Sequence, residues 1–285
     1  HFYTAHANGI DHSIQYMMVR NFSTEAHYYY NGKVAQTTGT TLPNNFSAGG
    51  SVTIMNNAGV QLSQSTIFAA GSMMNLDYGI FDHANQLTMA SSSLVNVDSG
   101  DFASAPMYNP GVDVTYKNIG LDGDLSIESG WALRPILAAG VGNLTIDKPL
   151  PGSVVSLNSN VTINGNILLK AGILDAGGFT GGPFAITAKG NWTNNSGMSG
   201  YSQSFGGIVK LAGTAPQVIN GAFPTRFGLV EVNNTGGGVT IDTTTYIEDQ
   251  LTFYNGTIDI NTDTLVMDFL APPIVAVPGF DNTRM

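Results

Sequence analysis

The chain has no cysteine among its 285 residues and few charged side chains. Disulfides and thiolate metal sites are therefore excluded, but the compartment stays open, because many exported proteins also lack cysteine. Charged residues make up 11% of the sequence, with only four Glu, six Lys and four Arg. Such long charged side chains usually cover the solvent face of helices, so their scarcity predicts few helices.

Positive charge is the scarcer sign. The formal net charge is −10, and no basic stripe could neutralise phosphates, which argues against nucleic-acid binding and against anionic membranes. The most apolar late stretch, Phe269–Phe280, has 12 residues and three prolines, too short and too interrupted to span a bilayer. His1–Ile10 has neither a basic region nor an apolar run, so these residues are not predicted to be a signal peptide. We expect the sequence to be a mature product or a piece of a longer chain.

Glycine is abundant, with 35 residues set among Asn, Thr, Ser, Val, Ile and Leu. This mixture is typical of many short strands joined by tight turns. From Ser51 onward apolar and polar residues alternate, as in Val52/Ile54 and Val60/Leu62. A period of two predicts strands with one buried face.

Two segments of the sequence, Val155–Asp175 and Val239–Asp259, align with each other without a gap. Half the offset between them also produces matches, such as Val209 with Ile167. A fixed period of this size indicates stacked units that cannot bury their apolar faces alone. We predict an all-β, elongated parallel β-helix (β-solenoid) built from a repeat of about 42 residues, with two coils per repeat. A tandem array of β-hairpins or β-sandwiches remains the alternative.

The same pattern suggests three regions. Residues 1–50 are predicted to form an irregular N-terminal cap or the edge of a larger array, residues 51–267 the β-solenoid, and residues 268–285 an extended tail or linker.

Two blocks, Asn160–Asn195 and Gly206–Ile241, resemble the β-solenoid repeats of large secreted and cell-surface proteins of Bacteroidetes. The shared phrasing includes the NVTINGNILLKAGILDAGG run and the GGGVTI run. The resemblance covers about half of the chain, while residues 1–117 match loosely and no sorting domain follows Met267. It implies an extracellular or cell-surface location, export as type IX secretion system cargo, and an adhesin-like role, with gliding motility as one context.

Exposed aromatic rings are the predicted recognition feature, because flat rings bury large areas at small entropic cost. The expected partners are extracellular glycans or surfaces, with secretion-system or outer-membrane proteins as alternatives. The candidate ligand-binding residues are Tyr28, Tyr29, Tyr30, Trp131, Trp192, Tyr201 and Tyr254. For each single ring, packing in the core is the competing interpretation.

The candidates for chemistry are sparse. A β-helical polysaccharide lyase or hydrolase is the alternative function, and its acidic group would comprise Asp77, Asp82, Asp98 and Asp101. Turn-type hydrogen bonding explains these aspartates more simply. The pairs Asp122/Asp124 and Asp259/Asp263 match no calcium-loop spacing, and His1, His6 and His12 lie in a segment with no predicted rigid scaffold. We therefore predict no catalytic residue, no metal and no cofactor.

The resemblance also suggests O-glycosylation at Asp-Thr motifs, with Thr243 and Thr264 as candidates. The sequence thus predicts a non-enzymatic adhesin or extended stalk that makes many weak contacts with glycans or surfaces. A structural part of a surface filament or of a secretion or gliding machine is a further alternative.

Overall fold

The computed structural model describes residues 1–14, 20–104, 106–117, 132–133, 141–150, 152–157, 159–177, 183–203, 206–267 and 275–276. Within them, secondary structure is almost entirely β, with one four-residue helix, α1, at Ile10–Ser13. The chain forms two compact units. Unit 1 comprises His1–Leu121 and Arg134–Gly142, and unit 2 comprises Asp122–Leu133 and Asn143–Met285.

The strands are short and numerous. Those of unit 1 are β1 (Phe2–Thr4), β2 (His27–Tyr30), β3 (Gln36–Thr37), β4 (Asn45–Phe46), β5 (Ser51–Met55), β6 (Val60–Gln61), β7 (Thr66–Phe68), β8 (Met73–Asp82), β9 (Leu87–Met89), β10 (Leu94–Phe102), β11 (Met107–Tyr108) and β12 (Val112–Lys117). Those of unit 2 are β13 (Ala132–Leu133), β15 (Val154–Leu157), β16 (Val161–Ile163), β17 (Ile167–Ala171), β18 (Ile173–Asp175), β19 (Ala185–Ala188), β20 (Trp192–Asn194), β21 (Tyr201–Ser202), β22 (Ile208–Leu211), β23 (Gln217–Asn220), β24 (Thr225–Asn233), β25 (Val239–Ile241), β26 (Thr245–Asn255), β27 (Ile258–Asp259), β28 (Leu265–Met267) and β29 (Val275–Ala276). Strand β14 (Val141–Asp147) has residues in both.

Unit 1 is a parallel β-solenoid with three straight segments per coil. Its first sheet contains β1, β2, β5, β8, β10 and β12, and a second short ladder joins β3, β6 and the end of β8. The third sheet has the order β4-β7-β9-β11. Matching positions in the first sheet are occupied by Phe2, Tyr28, Val52, Met74, Val95 and Val114. The sequence separation between neighbours in this series decreases at every step, so successive coils become shorter along the unit.

A left-handed corner recurs where the third sheet turns back to the first. The segments 47–50, 69–72 and 90–93 each close with a backbone hydrogen bond from the fourth residue to the first. Their third residues, Gly49, Gly71 and Ser92, have φ of 86°, 75° and 62°. Positive φ at this place is the mark of a type II turn, which favours glycine, and Gly111 (φ 97°) continues the column through the Ser92 N–H to Gly111 carbonyl bond.

Unit 2 repeats this architecture. One ladder joins β16, β19, β22, the second half of β24 and the second half of β26, and another joins β14, β17, β20, β23, β25 and β27. The third face includes β15, β18 and β21, and the first halves of β24 and β26 pair there before β28. Along each strand the inward residues are buried, for example Ile163, Leu211 and Phe253.

Both units contain the same buried polar corner. In unit 1 the Gln36 side chain accepts from the Gly32 N–H and the Asn56 Nδ2, at 2.8 and 2.9 Å, and donates to the carbonyls of Thr4 and His6, both at 3.0 Å. Buried amides are tolerated only when paired in this way.

In unit 2, Gln217 accepts from the Gly213 N–H at 2.8 Å and the Asn234 Nδ2 at 3.0 Å. It donates to the carbonyls of Ala188 and Gly190 at 3.0 and 2.7 Å. Each glutamine thus links the backbone of neighbouring coils, and the same set of hydrogen bonds occurs in both units.

The predicted fold class is confirmed, but the repeat register differs from the prediction. The gapless alignment of the two sequence segments equates Ile167 with Leu251, yet Ile167 stacks on Trp192 while Leu251 stacks on Val230. Coils in unit 2 vary in length, because loops of different size are inserted at the corners. The two coils from Val209 to Leu251 have the predicted repeat length, whereas the two coils from Ile167 to Ile219 are longer.

Residues 1–50 contain four strands that pair in parallel with later ones: β1 with β2, β2 with β5, β3 with β6 and β4 with β7. The boundary at residue 50 stays a prediction, as does the tail at residues 268–285, most of which lies outside the described residues.

Candidate binding surface

An outward column of aromatic and amide side chains runs along the first sheet of unit 1. This Tyr–Asn column consists of Tyr3, Tyr29, Thr53, Asn75 and Asn96, which occupy matching positions on successive strands. Because side chains alternate along a strand, each member lies between two inward residues, as Tyr29 does between buried Tyr28 and Tyr30. Tyr3 is exposed and Tyr29 and Asn75 are half-buried, whereas Thr53 and Asn96 expose only 3% and 8% of their surface. A ligand can therefore reach the column at Tyr3, Tyr29 and Asn75.

The members of the column contact one another. The rings of Tyr3 and Tyr29 stack with centroids 4.3 Å apart and planes 12° from parallel. Asn75 Nδ2 donates to Thr53 Oγ1 at 3.0 Å, and Asn96 Nδ2 donates to Asn75 Oδ1 at 2.8 Å. These contacts fix the side-chain rotamers before any ligand arrives, which lowers the entropic cost of binding.

Histidines flank the aromatic end of the column. The rings of His1 and His27 stack at 4.8 Å, and His1 Nδ1 lies 3.2 Å from the Tyr29 hydroxyl. Partial burial, with smaller contributions from Tyr3 and Asp77, raises the pKa of Tyr29. The shift keeps the hydroxyl neutral further into the alkaline range.

Four of the predicted ligand-binding rings are buried, which corrects the sequence-based assignment. Tyr28, Tyr30, Trp192 and Tyr201 expose 1%, 0%, 1% and 4% of their surface, so they cannot offer a face to a ligand. Tyr28 and Tyr30 point inward and donate to the carbonyls of Ser23 and Thr38. Trp192 and Tyr201 pack edge-on at 5.2 Å in the core of unit 2.

Tyr29 and Tyr254 are the predicted rings that remain accessible. Tyr29 is half-buried, and Tyr254, in β26, exposes 45% of its surface. Beside Tyr254, Asn255 Nδ2 donates to Asn233 Oδ1 at 2.6 Å, so unit 2 also places a ring next to paired amides. Trp131 lies outside the described residues.

Tyr3, with 59% of its surface exposed, was missed by the sequence analysis. Its signal is the match of Phe2–Thr4 to Tyr28–Tyr30. That match was overlooked because the coil between the two segments is longer than the coils that the predicted repeat implies.

The aspartates of the alternative enzymatic site are only partly brought together. Asp77 and Asp98 fall between the register pairs Leu76↔Val97 and Tyr78↔Ser99, so they are neighbours on adjacent strands. Burial raises the pKa of Asp77, an effect that the charge of Lys117 opposes. Asp82 accepts from the Ala84 N–H at 2.9 Å, which is the predicted turn bond, and Asp101 accepts from the Phe102 N–H.

No group of three or more His, Asp or Glu side chains that could hold a metal ion occurs within the described ranges. His6 and His12 stack at 5.1 Å, without a third ligand beside them there. Asp259 accepts from the Asn261 N–H at 2.9 Å, again a turn bond, and Asp122 and Asp124 lie outside the described residues.

The two candidate glycosylation threonines differ in their surroundings. The Thr243 hydroxyl donates to the Gly221 carbonyl at 2.9 Å and is half-buried. Thr264 is exposed, and its carbonyl accepts from the Thr245 N–H. The modification itself stays a prediction.

In the part of the chain that the structure describes, no helix is both long and apolar enough to cross a membrane. Comparison with protein-family models, curated proteins and solved structures finds no match to this chain.

Proposed function

We propose that this chain is a repeat module of a secreted or cell-surface protein, and that it acts as an adhesin or extended stalk through many weak contacts with glycans or surfaces. The observation that supports this proposal most directly is the Tyr–Asn column, where uncharged hydrogen-bonding side chains recur at the strand spacing of about 4.8 Å.

Repetition makes weak contacts useful. A ligand with repeating hydroxyl groups can bond to the accessible members of the column, Tyr3, Tyr29 and Asn75, at once, and each added contact is effectively intramolecular. In unit 2 the exposed ring of Tyr254 and the Asn233–Asn255 pair supply a further contact of the same chemical type. Affinity per contact stays low, whereas binding to a dense surface is strong.

The adhesive role is tested by presenting the folded chain on beads and as a free monomer to glycan arrays and abiotic surfaces. We expect retention of the beads, weak binding of the monomer, and reduced retention for Tyr3→Ala and Tyr254→Ala. Val34→Ala, which truncates an aliphatic residue that is 57% exposed, is the matched control. If beads are retained on no glycan and no surface, adhesion is wrong and a pure spacer remains.

The proposed location rests on the resemblance to Bacteroidetes surface repeats. Cells that express the parent protein should release it, or lose it to added protease, only while their type IX secretion system is intact. Retention inside intact cells would refute export by this route. Co-purification with gliding or secretion proteins, or filament formation, would instead favour the structural role.

A polysaccharide lyase or hydrolase is the second candidate, and the neighbouring carboxylates of Asp77 and Asp98 favour it. Strand spacing places the backbones of these two residues about 5 Å apart, and retaining glycosidases use two carboxyl groups about 5–5.5 Å apart. Incubation with acidic and neutral polysaccharides should produce new reducing or unsaturated ends, and Asp77→Asn should abolish them. No new ends from any substrate would exclude this candidate.

A further inference from the structure

The third sheet of unit 1 carries no charge on its strands, and the exposed Glu25 lies at its edge, where the Ser47 N–H donates to the Thr24 carbonyl. Its strands β4, β7, β9 and β11 fall within segments 34–76, 84–97 and 102–112, which contain no Asp, Glu, Lys or Arg. In a chain of net charge −10 such a surface is unexpected, since solvent-facing strands usually carry some charge that keeps them soluble.

The outward side chains of this sheet combine apolar and neutral polar groups. Asn45, Ile67, Thr88 and Met107 occupy matching positions on the four strands. Ile67 exposes 45% and Met107 61% of its surface, while the inward Phe46, Phe68 and Met89 are buried. We name the outward column Asn45–Ile67–Thr88–Met107 the uncharged face.

The neighbours of the uncharged face are small. Two residues further along the strands lie Ser47, Ala69 and Ala90, whose backbone continues the ladder through the Ala69 N–H to Phe46 carbonyl and Ala90 N–H to Phe68 carbonyl bonds. Larger side chains, Glu25 and Asn109, occupy the corresponding places only at the two ends of this series. A flat partner can therefore approach the backbone closely at the middle of the sheet.

The acidic side chains of unit 1 lie outside the strands of this sheet. Asp77, Asp98 and Asp113 belong to β8, β10 and β12 of the first sheet, as does Lys117. A partner of the uncharged face gains no ion pair there, and an anionic partner is repelled by the net negative charge of the chain. Recognition must depend on apolar contact and neutral hydrogen bonds.

The dimensions argue against a second copy of the chain as the occupant. Four strands at about 4.8 Å spacing span about 14 Å, and three residues along a strand span about 10 Å. The area enclosed by these two lengths is well below the ~800 Å² per partner that a stable protein interface buries. A repeating polymer overcomes a small contact area, because it binds many modules side by side.

We infer that the uncharged face binds an uncharged polysaccharide. The C–H faces of its sugar rings pack on Ile67 and Met107, and its hydroxyls bond to the side chains of Asn45 and Thr88. This inference rests on the proposed adhesive function and adds to it the site and the ligand class. It also separates this sheet from the Tyr–Asn column, which lies beside acidic residues.

The test measures depletion of the full chain from solution by insoluble chitin, cellulose, starch and a β-1,3-glucan, with polygalacturonate gel as the anionic probe. We expect binding to at least one neutral polymer, and equal binding at low salt and at about 1 M NaCl, since no ion pair is involved. Binding only to polygalacturonate, or loss of binding in salt, would overturn the inference.

Variants locate the site. Ile67→Lys places a charge in the middle of the uncharged face and should weaken binding at least about tenfold, with Ile67→Ala intermediate. Ser99→Lys adds the same charge at an exposed position of β10, outside the face, and should bind like wild type. Thermal unfolding of each variant shows that it is folded.

The outcomes separate the inference from the function beneath it. If Ile67→Lys and Ser99→Lys bind a neutral polymer equally well, the uncharged face is not the site, although adhesion stands. If wild type dimerises in sedimentation and Ile67→Lys does not, the occupant is a second copy and the inference is wrong. If wild type is retained on no polymer and no surface, the adhesive function itself fails.

Discussion

Two buried glutamines, one in each unit, carry nearly identical sets of hydrogen bonds. Gln36 and Gln217 each accept from a glycine N–H four residues earlier and from an asparagine amide, and each donates to two carbonyls. Their exposed surface is 3% and 1%. With so little water access, each bond that is broken leaves a polar group unpaired.

Gln217→Leu should therefore lower the free energy of unfolding by at least about 3 kcal/mol, because several buried backbone groups lose their partners together. Gln36→Leu should behave alike. Denaturant unfolding of the full chain measures both. Gln61→Leu, at an exposed position, is the control and should change stability by less than about 0.5 kcal/mol; equal effects at all three positions would contradict the role of the buried corner.

The buried tyrosines differ in a way that mutation can resolve. Tyr28 donates its hydroxyl to the Ser23 carbonyl at 2.7 Å. The Tyr201 hydroxyl is buried and finds no hydrogen-bonding partner among the described protein groups. Tyr28→Phe should cost about 1 kcal/mol of unfolding free energy, whereas Tyr201→Phe should be neutral within about 0.5 kcal/mol or stabilising. A larger loss for Tyr201→Phe, measured in the same denaturant series, would show that its hydroxyl is satisfied.

At the scale of the element, the corners of unit 1 determine how strands succeed one another. The column Gly49, Gly71, Ser92 and Gly111 has positive φ throughout, and Ser92 alone among these four carries a side chain in that conformation. The left-handed region costs an L-residue about 1–2 kcal/mol, which glycine avoids.

Ser92→Gly should therefore stabilise the protein. The relief of strain is partly offset by the greater freedom of glycine in the unfolded chain, so we expect a gain of about 0.5–1 kcal/mol. Ser91→Gly, at the exposed neighbouring position, provides the comparison and should be neutral or destabilising. A gain from Ser91→Gly and none from Ser92→Gly would contradict the strain argument.

The alternation of apolar and polar residues predicted the strands well, because a strand that is buried on one face needs an apolar residue at every second position. Val52/Ile54 and Val60/Leu62 are inward and buried as the pattern indicates. The register between coils was harder to predict than the positions of the strands. Which residues stack depends on the loops inserted at the corners. A loop such as 195–200 lengthens its coil without changing the strand pattern. The sequence alignment therefore pairs Ile167 with Leu251, although the two residues lie in different ladders.

The sequence also did not predict which aromatic side chains point inward and which point outward. In the run Tyr28–Tyr30 three identical residues alternate in and out, and nothing in the sequence marks Tyr29 as the outward one. The uncharged face was visible as the long segment without Asp, Glu, Lys or Arg, but its meaning required the parallel register that brings Asn45, Ile67, Thr88 and Met107 into one column.

At the scale of the whole molecule, stability comes from apolar stacking rather than from charge. Three ion pairs between neighbouring coils, Lys170–Asp147, Lys210–Glu231 and Arg226–Glu248, have N–O distances of 2.7–2.8 Å. Their side chains are substantially exposed, so each pair contributes at most about 1 kcal/mol. In solenoids of this kind each coil is stabilised mainly by its neighbours, which leaves the outer faces free to vary in chemistry.

Alkaline pH should reveal how much of that interior is tyrosine. Burial raises the pKa of Tyr28 to about 12 and raises the pKa values of Tyr30, Tyr108 and Tyr201 further above the ordinary value of 10. A group whose pKa is higher in the folded state stabilises the fold fully below pH 10, and this stabilisation is lost as the pH rises through the folded pKa. Stability should therefore fall progressively above pH 10.

Absorbance of tyrosinate, recorded at pH 11 first in the native protein and then after addition of denaturant, measures this directly. The native protein should show fewer ionised groups than its 11 tyrosines, and the remainder should ionise only on unfolding. Tyr28→Phe should reduce the increment released by denaturant, because it removes one of the protected rings, whereas Tyr254→Phe removes an exposed ring and should leave that increment unchanged. Full ionisation in the native protein at pH 11 would contradict the buried tyrosine core of both units.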